Sequence, residues 1–139
     1  MDGRILPPVA VVIGFIDCVN RGDIVGLSRL MSEDHELQVF EEAPLTGREA
    51  NTAGWQGYAT AYPDYVIYPH RIAGQGTRVA VLGHTTGSHL GLPDDQERAL
   101  TLIWLADVAD GALRLWRLLP DTPENRQELG LANADLRLP

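Results

Sequence analysis

Val9, Val12, Ile13, Ile16 and Val19 recur at three- and four-residue spacing, the pattern of a helix that buries one face. Pro7 and Pro8 suit its first turn, where a missing N–H loses no partner, and Gly22 supplies the stop. Asp23 is placed to cap a second, shorter helix with Ile24, Leu27, Leu30 and Met31 on its apolar side, ending at Ser32-Glu33-Asp34. From His35 the period becomes two: His35, Leu37 and Val39 share one face, Glu36, Gln38 and Phe40 the other, which predicts a strand. After a loop through Pro44, Thr46-Gly47-Arg48-Glu49 has capping-box spacing, with Thr46 accepting from the Glu49 amide, and opens a third helix that Pro63 closes. Ala50, Ala53, Gly54, Gly57 and Ala61 give that helix a small-residue face suited to close approach. Trp55, Tyr58 and Tyr62 form the neighbouring stripe.

The rest alternates as strands: Tyr65 to Ile72, Arg78 to about Leu90, Arg98 to Val108, and Leu113 to Leu119. Gly74-Gln75-Gly76 joins the first two and Asp110-Gly111 makes a tight hairpin of the last two. Thr122-Pro123 starts a short final helix through Leu129, followed by a tail. Helices before strands predict an α+β domain in which a largely antiparallel sheet is covered on one face. With 139 residues the chain reads as one domain over 1–139, its core at about 7–121 and a short helix and tail at 122–139. Hydrophobic residues at 45% against 22% charged mark it as folded and globular. A net charge of −8 repels phosphate backbones and anionic lipid, so neither nucleic acid nor membrane is an expected partner. The lone Cys18 excludes an internal disulfide, and the Val9–Ile16 run is too short for a bilayer and lacks a basic lead. A cytoplasmic protein is expected.

Seven short motifs then fall in order between Val9 and Asp121: Asp34-His35, Leu45-Thr46-Gly47-Arg48-Glu49-Ala50, Pro63-Asp64-Tyr65, Arg78-Val79-Ala80-Val81, Gly87-Ser88-His89-Leu90-Gly91, Asp110-Gly111, and Trp116-Arg117 with Asp121. On these the sequence resembles the nuclear transport factor 2-like superfamily and, within it, the SnoaL-like, polyketide cyclase-like branch. The resemblance implies a cone-shaped fold, with a curved, mostly antiparallel sheet and helices packed on its concave side. It also implies a pocket for a small apolar or aromatic molecule and no cofactor. Relatives include cyclases, isomerases, dehydratases and epoxide hydrolases, but also non-catalytic transport and assembly proteins, so the fold leaves function open. In the cyclases resembled, the acid–base aspartate lies seven residues after the hairpin glycine, and counting from Gly111 reaches Leu118. Their further polar positions fall here at Leu102, Trp104 and about Leu37. Leucine cannot move a proton, so that mechanism does not carry over. Asp121 has the opposite parity and follows Pro120, where it suits capping the next turn.

His35 is the candidate base: its parity with Leu37 and Val39 points it into the cone near the opening, where desolvation favours neutral imidazole. The competing reading is a strand-start histidine bonded to backbone. His84 and His89 have opposite parity, so at most one faces inward, and His70 belongs to an outer or edge surface. The four histidines show no metal-ligand spacing, and no metal is expected. Trp104 and Trp116, with Leu37, Val39, Leu102 and Leu118 and with Trp55 and Tyr58 from the third helix, make the predicted pocket wall. That wall is either a flat-ring site or a core filled by its own indoles. Ile103, Leu105 and Leu115 point outward and need a cover, either a second copy of the chain, as the resemblance implies, or the C-terminal Leu129 and Leu131. Three functions follow: a cyclase or isomerase type enzyme relying on His35, a non-catalytic binder of hydrophobic ligands, or a dimeric interaction module with a filled pocket.

Overall fold

A computed structural model describes residues 6–132. α1 (Pro8–Arg21) buries Val11, Val12, Phe15, Ile16, Cys18 and Val19. It stops because Gly22, at φ 67°, turns left-handed and sends its N–H back to the Val19 carbonyl at 3.1 Å. α2 (Ile24–Leu30) is capped by Asp23, whose carboxylate accepts from the Gly26 N–H at 2.9 Å.

β1 (Met31–Val39) starts four residues before the predicted strand. Met31 pairs with Leu113 across the sheet and is 1% exposed, so tertiary pairing takes the residues that pattern assigned to the end of the helix and a turn. β2 (Leu45–Thr46) lies antiparallel on β1. Thr46 is thus a strand residue and caps nothing. α3 (Arg48–Ala61) has Gly47 at its N-cap with no side-chain bond, in place of the expected capping box. The small-residue face of α3 is exposed, contrary to expectation. The helix turns Asn51, Trp55, Tyr58 and Ala59 toward the body instead, because the rings bury far more apolar area than alanine or glycine.

β3 (Val66–Gln75) and β4 (Arg78–Thr86) form a hairpin with a register shift near Pro69. Gly83 sits opposite, where an added Cβ would fall 2.2 Å from the Tyr68 carbonyl oxygen. β4 ends at Thr86, before Leu90, and the next strand starts four residues later than the Arg98 that alternation gave, because α4 (Asp94–Glu97) runs on into a turn in which the Arg98 N–H bonds to the Asp94 carbonyl. β5 (Leu102–Ala109) and β6 (Ala112–Pro120) follow as a hairpin, then α5 (Pro123–Glu128), capped by Thr122. The curved sheet runs β2-β1-β6-β5-β4-β3, antiparallel except for the parallel β1–β6 pair.

Each face of this sheet has its own apolar cluster. Inside, α1 and α2 pack Phe15, Leu27 and their neighbours against Val79, Val81, Trp104, Ala106 and Trp116. Outside, Ala80, Leu82 and Ile103 meet Leu129 and Leu131, which are 6% and 0% exposed. Polar bonds hold that segment down: Arg126 reaches both Asp121 carboxylate oxygens at 2.6 and 2.7 Å, and Arg71 donates to the Leu131 carbonyl at 2.7 Å. The region predicted to seek a cover therefore has one from its own chain.

Candidate functional site

Register decides what faces the hollow. Leu37 pairs with Trp116, Val39 with Leu118, and Trp104 with Leu118, which places all five on the helix-covered face. The two indoles lie nearly parallel, 24° apart with centroids at 6.2 Å, and Phe15 packs against Trp116 at 5.0 Å. Above them α3 touches the sheet along β1 and β2 without filling the space over the indoles. A cavity of about 180 Å³ remains, lined by Leu37, Val39, Leu45, Asn51, Gly54, Trp55, Tyr58, Tyr65, Trp104, Trp116 and Leu118. A dry cavity of roughly 150 Å³ holds a benzene, so this one fits a single ring and falls short of the roughly 300 Å³ that begins the range for drug-sized guests. A larger groove, about 550 Å³, lies between the α1–α2 turn and α3 and shares Trp55, Tyr58 and Tyr65 with it, but Asn20, Arg21, Asp23 and Gln56 make that groove polar.

Most of the predicted lining stands around this cavity. Leu102 does not: it pairs with Pro120 at the end of the hairpin and packs, half-buried, on the inner cluster. Pattern missed Leu45, Asn51, Gly54 and Tyr65. His35 is fully buried (0% exposed), does not line the cavity, and is not at an opening, because β1 begins at Met31 and makes it a mid-strand residue under Phe15. Its Nδ1 lies 2.7 Å from the Leu113 carbonyl and must carry the proton, which leaves Nε2 a buried lone pair without a partner. Burial pushes its pKa below the ordinary histidine value, so the ring is neutral. Neither His84 nor His89 faces the cavity. His84 shares the outer face with Leu82, stacked on Tyr68 at 4.6 Å and 2.7 Å from His70 Nε2. His89 lies exposed beyond the strand end.

Three polar features accompany the apolar wall. Asn51, 1% exposed, directs its Nδ2 at the carbonyls of Gly47, Leu45 and His35, at 2.9, 3.0 and 3.2 Å. Its Oδ1 has no protein partner, and neither do the buried indole nitrogens of Trp55 and Trp104. Tyr58 accepts from the His89 backbone N–H at 3.1 Å, and its hydroxyl is hydrogen-bonded to His89 Nδ1 at 2.9 Å. Burial pushes the phenols of Tyr58 and Tyr65 upward. The loop carrying His89 is pinned by the buried Glu97, which accepts from Thr85 Oγ1 and, at 3.4 Å, from the Ser88 N–H. No sequence pattern marked Glu97 or Asn51, since a polar residue on a helix has the same pattern whether it is solvated or buried against backbone.

A curved, mostly antiparallel sheet closed by helices over an apolar hollow defines a cone-type α+β pocket protein. Residues 12–116 match the SnoaL-like domain, and the chain belongs to that family. Solved structures agree on the fold. An uncharacterised cystatin-fold protein from Novosphingobium aromaticivorans is 13% identical at a TM-score of 0.70, over 82% of this chain and 98% of that one. A candidate polyketide cyclase from Sinorhizobium meliloti is 23% identical at 0.67, over 81% and 94%. An LEH-like epoxide hydrolase from M. tuberculosis is 14% identical at 0.65, over 88% of each chain. No match was found among curated proteins. Among the described residues, no helix is long and apolar enough to cross a membrane.

Proposed function

We propose that this chain is a non-catalytic binding protein for small, largely apolar, single-ring molecules, taken up in the cavity behind the sheet. One observation carries this reading: among the described residues the lining holds no carboxylate, imidazole or cation, and Leu118 stands where the cyclases resembled keep their aspartate. Enclosure and apolar area favour a neutral guest. For so small a guest the expected affinity is about millimolar to high micromolar. Because Trp104 and Trp116 form the wall, toluene titration should change the tryptophan fluorescence saturably, and Leu118→Trp, which fills the space, should abolish the response. No saturable change with toluene or phenol would overturn the reading.

A second reading, acid–base catalysis of the cyclase or isomerase kind, is favoured by the Tyr58–His89 bond. It links a wall residue to an exposed imidazole and gives a proton a route between cavity and solvent. Its test is deuterium exchange at the α-carbons of cyclohexanone in D₂O, followed by NMR. Acceleration by the protein that is lost in Tyr58→Phe and His89→Ala supports it, and no acceleration removes it. His35 serves either reading as a structural residue, bonded to Leu113. A homodimer through the outer face has less support, because Leu129 and Leu131 already occupy its centre.

A further inference from the structure

We propose that His70 and His84, on the outer face of the sheet, form a binding site for one divalent transition-metal ion of the kind imidazole favours, such as Ni²⁺, Zn²⁺ or Cu²⁺. The site lies across the sheet from the cavity and is independent of the binding reading above.

The backbone brings the two rings together. Pro69 and Arg71 pair with the adjacent Gly83 and Leu82, so His70 is an extra residue in β3, a bulge that turns its side chain to the face on which His84 lies. Gly83 makes room for it: a Cβ there would meet the Tyr68 carbonyl oxygen at 2.2 Å and the Pro69 Cα at 3.1 Å. Tyr68, paired with His84 in register, stacks on that ring at 4.6 Å and 13° and holds its plane. The two histidines are 14 residues apart along the chain, on different strands, so no spacing rule joins them.

The dimensions suit one ion. His70 Nε2 and His84 Nδ1 are 2.7 Å apart, and the ring centroids 4.9 Å. With metal–nitrogen bonds of about 2.0–2.1 Å and bond angles of about 90–110°, two imidazoles on one ion have nitrogens about 3 Å apart and centroids about 4.5–5.2 Å apart. The centroids already stand at that spacing, so a small turn of each ring aims both nitrogens at a common point. The proton between them moves, through water, to the other nitrogen of the ring that carried it, and both lone pairs are then free for the ion. Burial, joined by Arg71 and Arg126 at His70 and by His70 and Arg98 at His84, pushes both pKa values below the ordinary histidine value, so both rings are neutral near pH 7. Among the described residues no third histidine, cysteine, aspartate or glutamate joins them. Water fills the remaining positions from the side of the half-buried His70, and the nearby guanidinium groups hold the affinity below that of a closed structural site.

The test is calorimetric titration of the tag-free full chain with Ni²⁺, Zn²⁺ and Mg²⁺ near neutral pH, with the imidazole resonances followed by NMR. One Ni²⁺ or Zn²⁺ should bind per chain, and Mg²⁺, which takes oxygen ligands, should not. His70→Gln and His84→Gln should each weaken Ni²⁺ binding about tenfold or more, and His89→Ala should leave it unchanged. In the spectra Ni²⁺ should broaden the His70, His84 and Tyr68 ring signals before those of His89. His70 is half-buried, so His70→Gln decides alone if the His84 variant does not fold. No binding of either ion, binding unaffected by His70→Gln, or binding lost in His89→Ala overturns the site and leaves the cavity reading untouched.

Discussion

The inner and outer faces of β5 and β6 are both apolar and both covered by the same chain, yet only one has a hollow. Inside, the helices pack over the curved sheet with Phe15, Trp55 and the two stacked indoles between them, and about 180 Å³ is left. Outside, a six-residue helix and the residues after it settle Leu129 and Leu131 directly onto Ile103 and Leu82, and the space near Leu105 and Leu129 is about 10 Å³. Hydrophobicity alone therefore does not make a site. A stiff cover over a curved wall leaves room for a guest, whereas a short, adaptable segment fills its contact.

The contrast can be broken most forcefully from within. Trp116→Ala removes one of the two stacked indoles together with its contact to Phe15 and should cost about 3–5 kcal/mol in urea unfolding. A cost under about 1 kcal/mol would mean that the inner wall does not depend on it. Leu131→Ala should cost about 2–4 kcal/mol. Ending the chain at Asp121 should uncover Ile103 and Leu82 and produce self-association by sedimentation; a stable monomer would show that the outer face needs no cover.

His35 on the inner face and Asp121 beneath the outer cover should also part on pH. His35 has a folded pKa below its ordinary value of 6.5, so the unfolded chain binds its proton first, and the stability His35 gives is present above that value and lost as pH falls through the folded one. Asp121, lowered from 3.8 by its bonds from Arg126, keeps its contribution until the pH drops below that range. The melting temperature should therefore fall between pH 7 and 5 by an amount that His35→Gln reduces, while Asp121→Asn leaves that interval unchanged and affects only stronger acid. The smallest effect is at the rim, where Leu45, 40% exposed, should tolerate alanine with less than about 1 kcal/mol lost and toluene affinity within about threefold.

Period and punctuation made the framework legible. The stripe of α1 and the cap at Gly22, the alternation through Leu37 and Val39, and the Asp110-Gly111 hairpin are local signals, and the motif order pointed to the cone. What failed was decided by partners far along the chain. Met31 became a strand residue because Leu113 lies beside it, and Thr46 paired with Glu36 instead of capping α3. Parity puts most of the wall on the correct face but cannot measure depth: His35 shares that parity, yet it is fully buried in mid-strand and does not line the cavity. Asn51 and Glu97 gave no signal at all: a polar residue on a helix looks solvated until the backbone that surrounds it is known.

The parallel strand pair has one more consequence. β1 is made before its partner for most of its length, β6, with β2, α3, β3, β4, α4 and β5 translated in between. Until Leu115 to Leu118 have been translated, the Glu36–Val39 stretch has an unmet edge and the tryptophan wall has no second half. The domain cannot mature piece by piece on the ribosome, and its slow step should be this late, long-range closure.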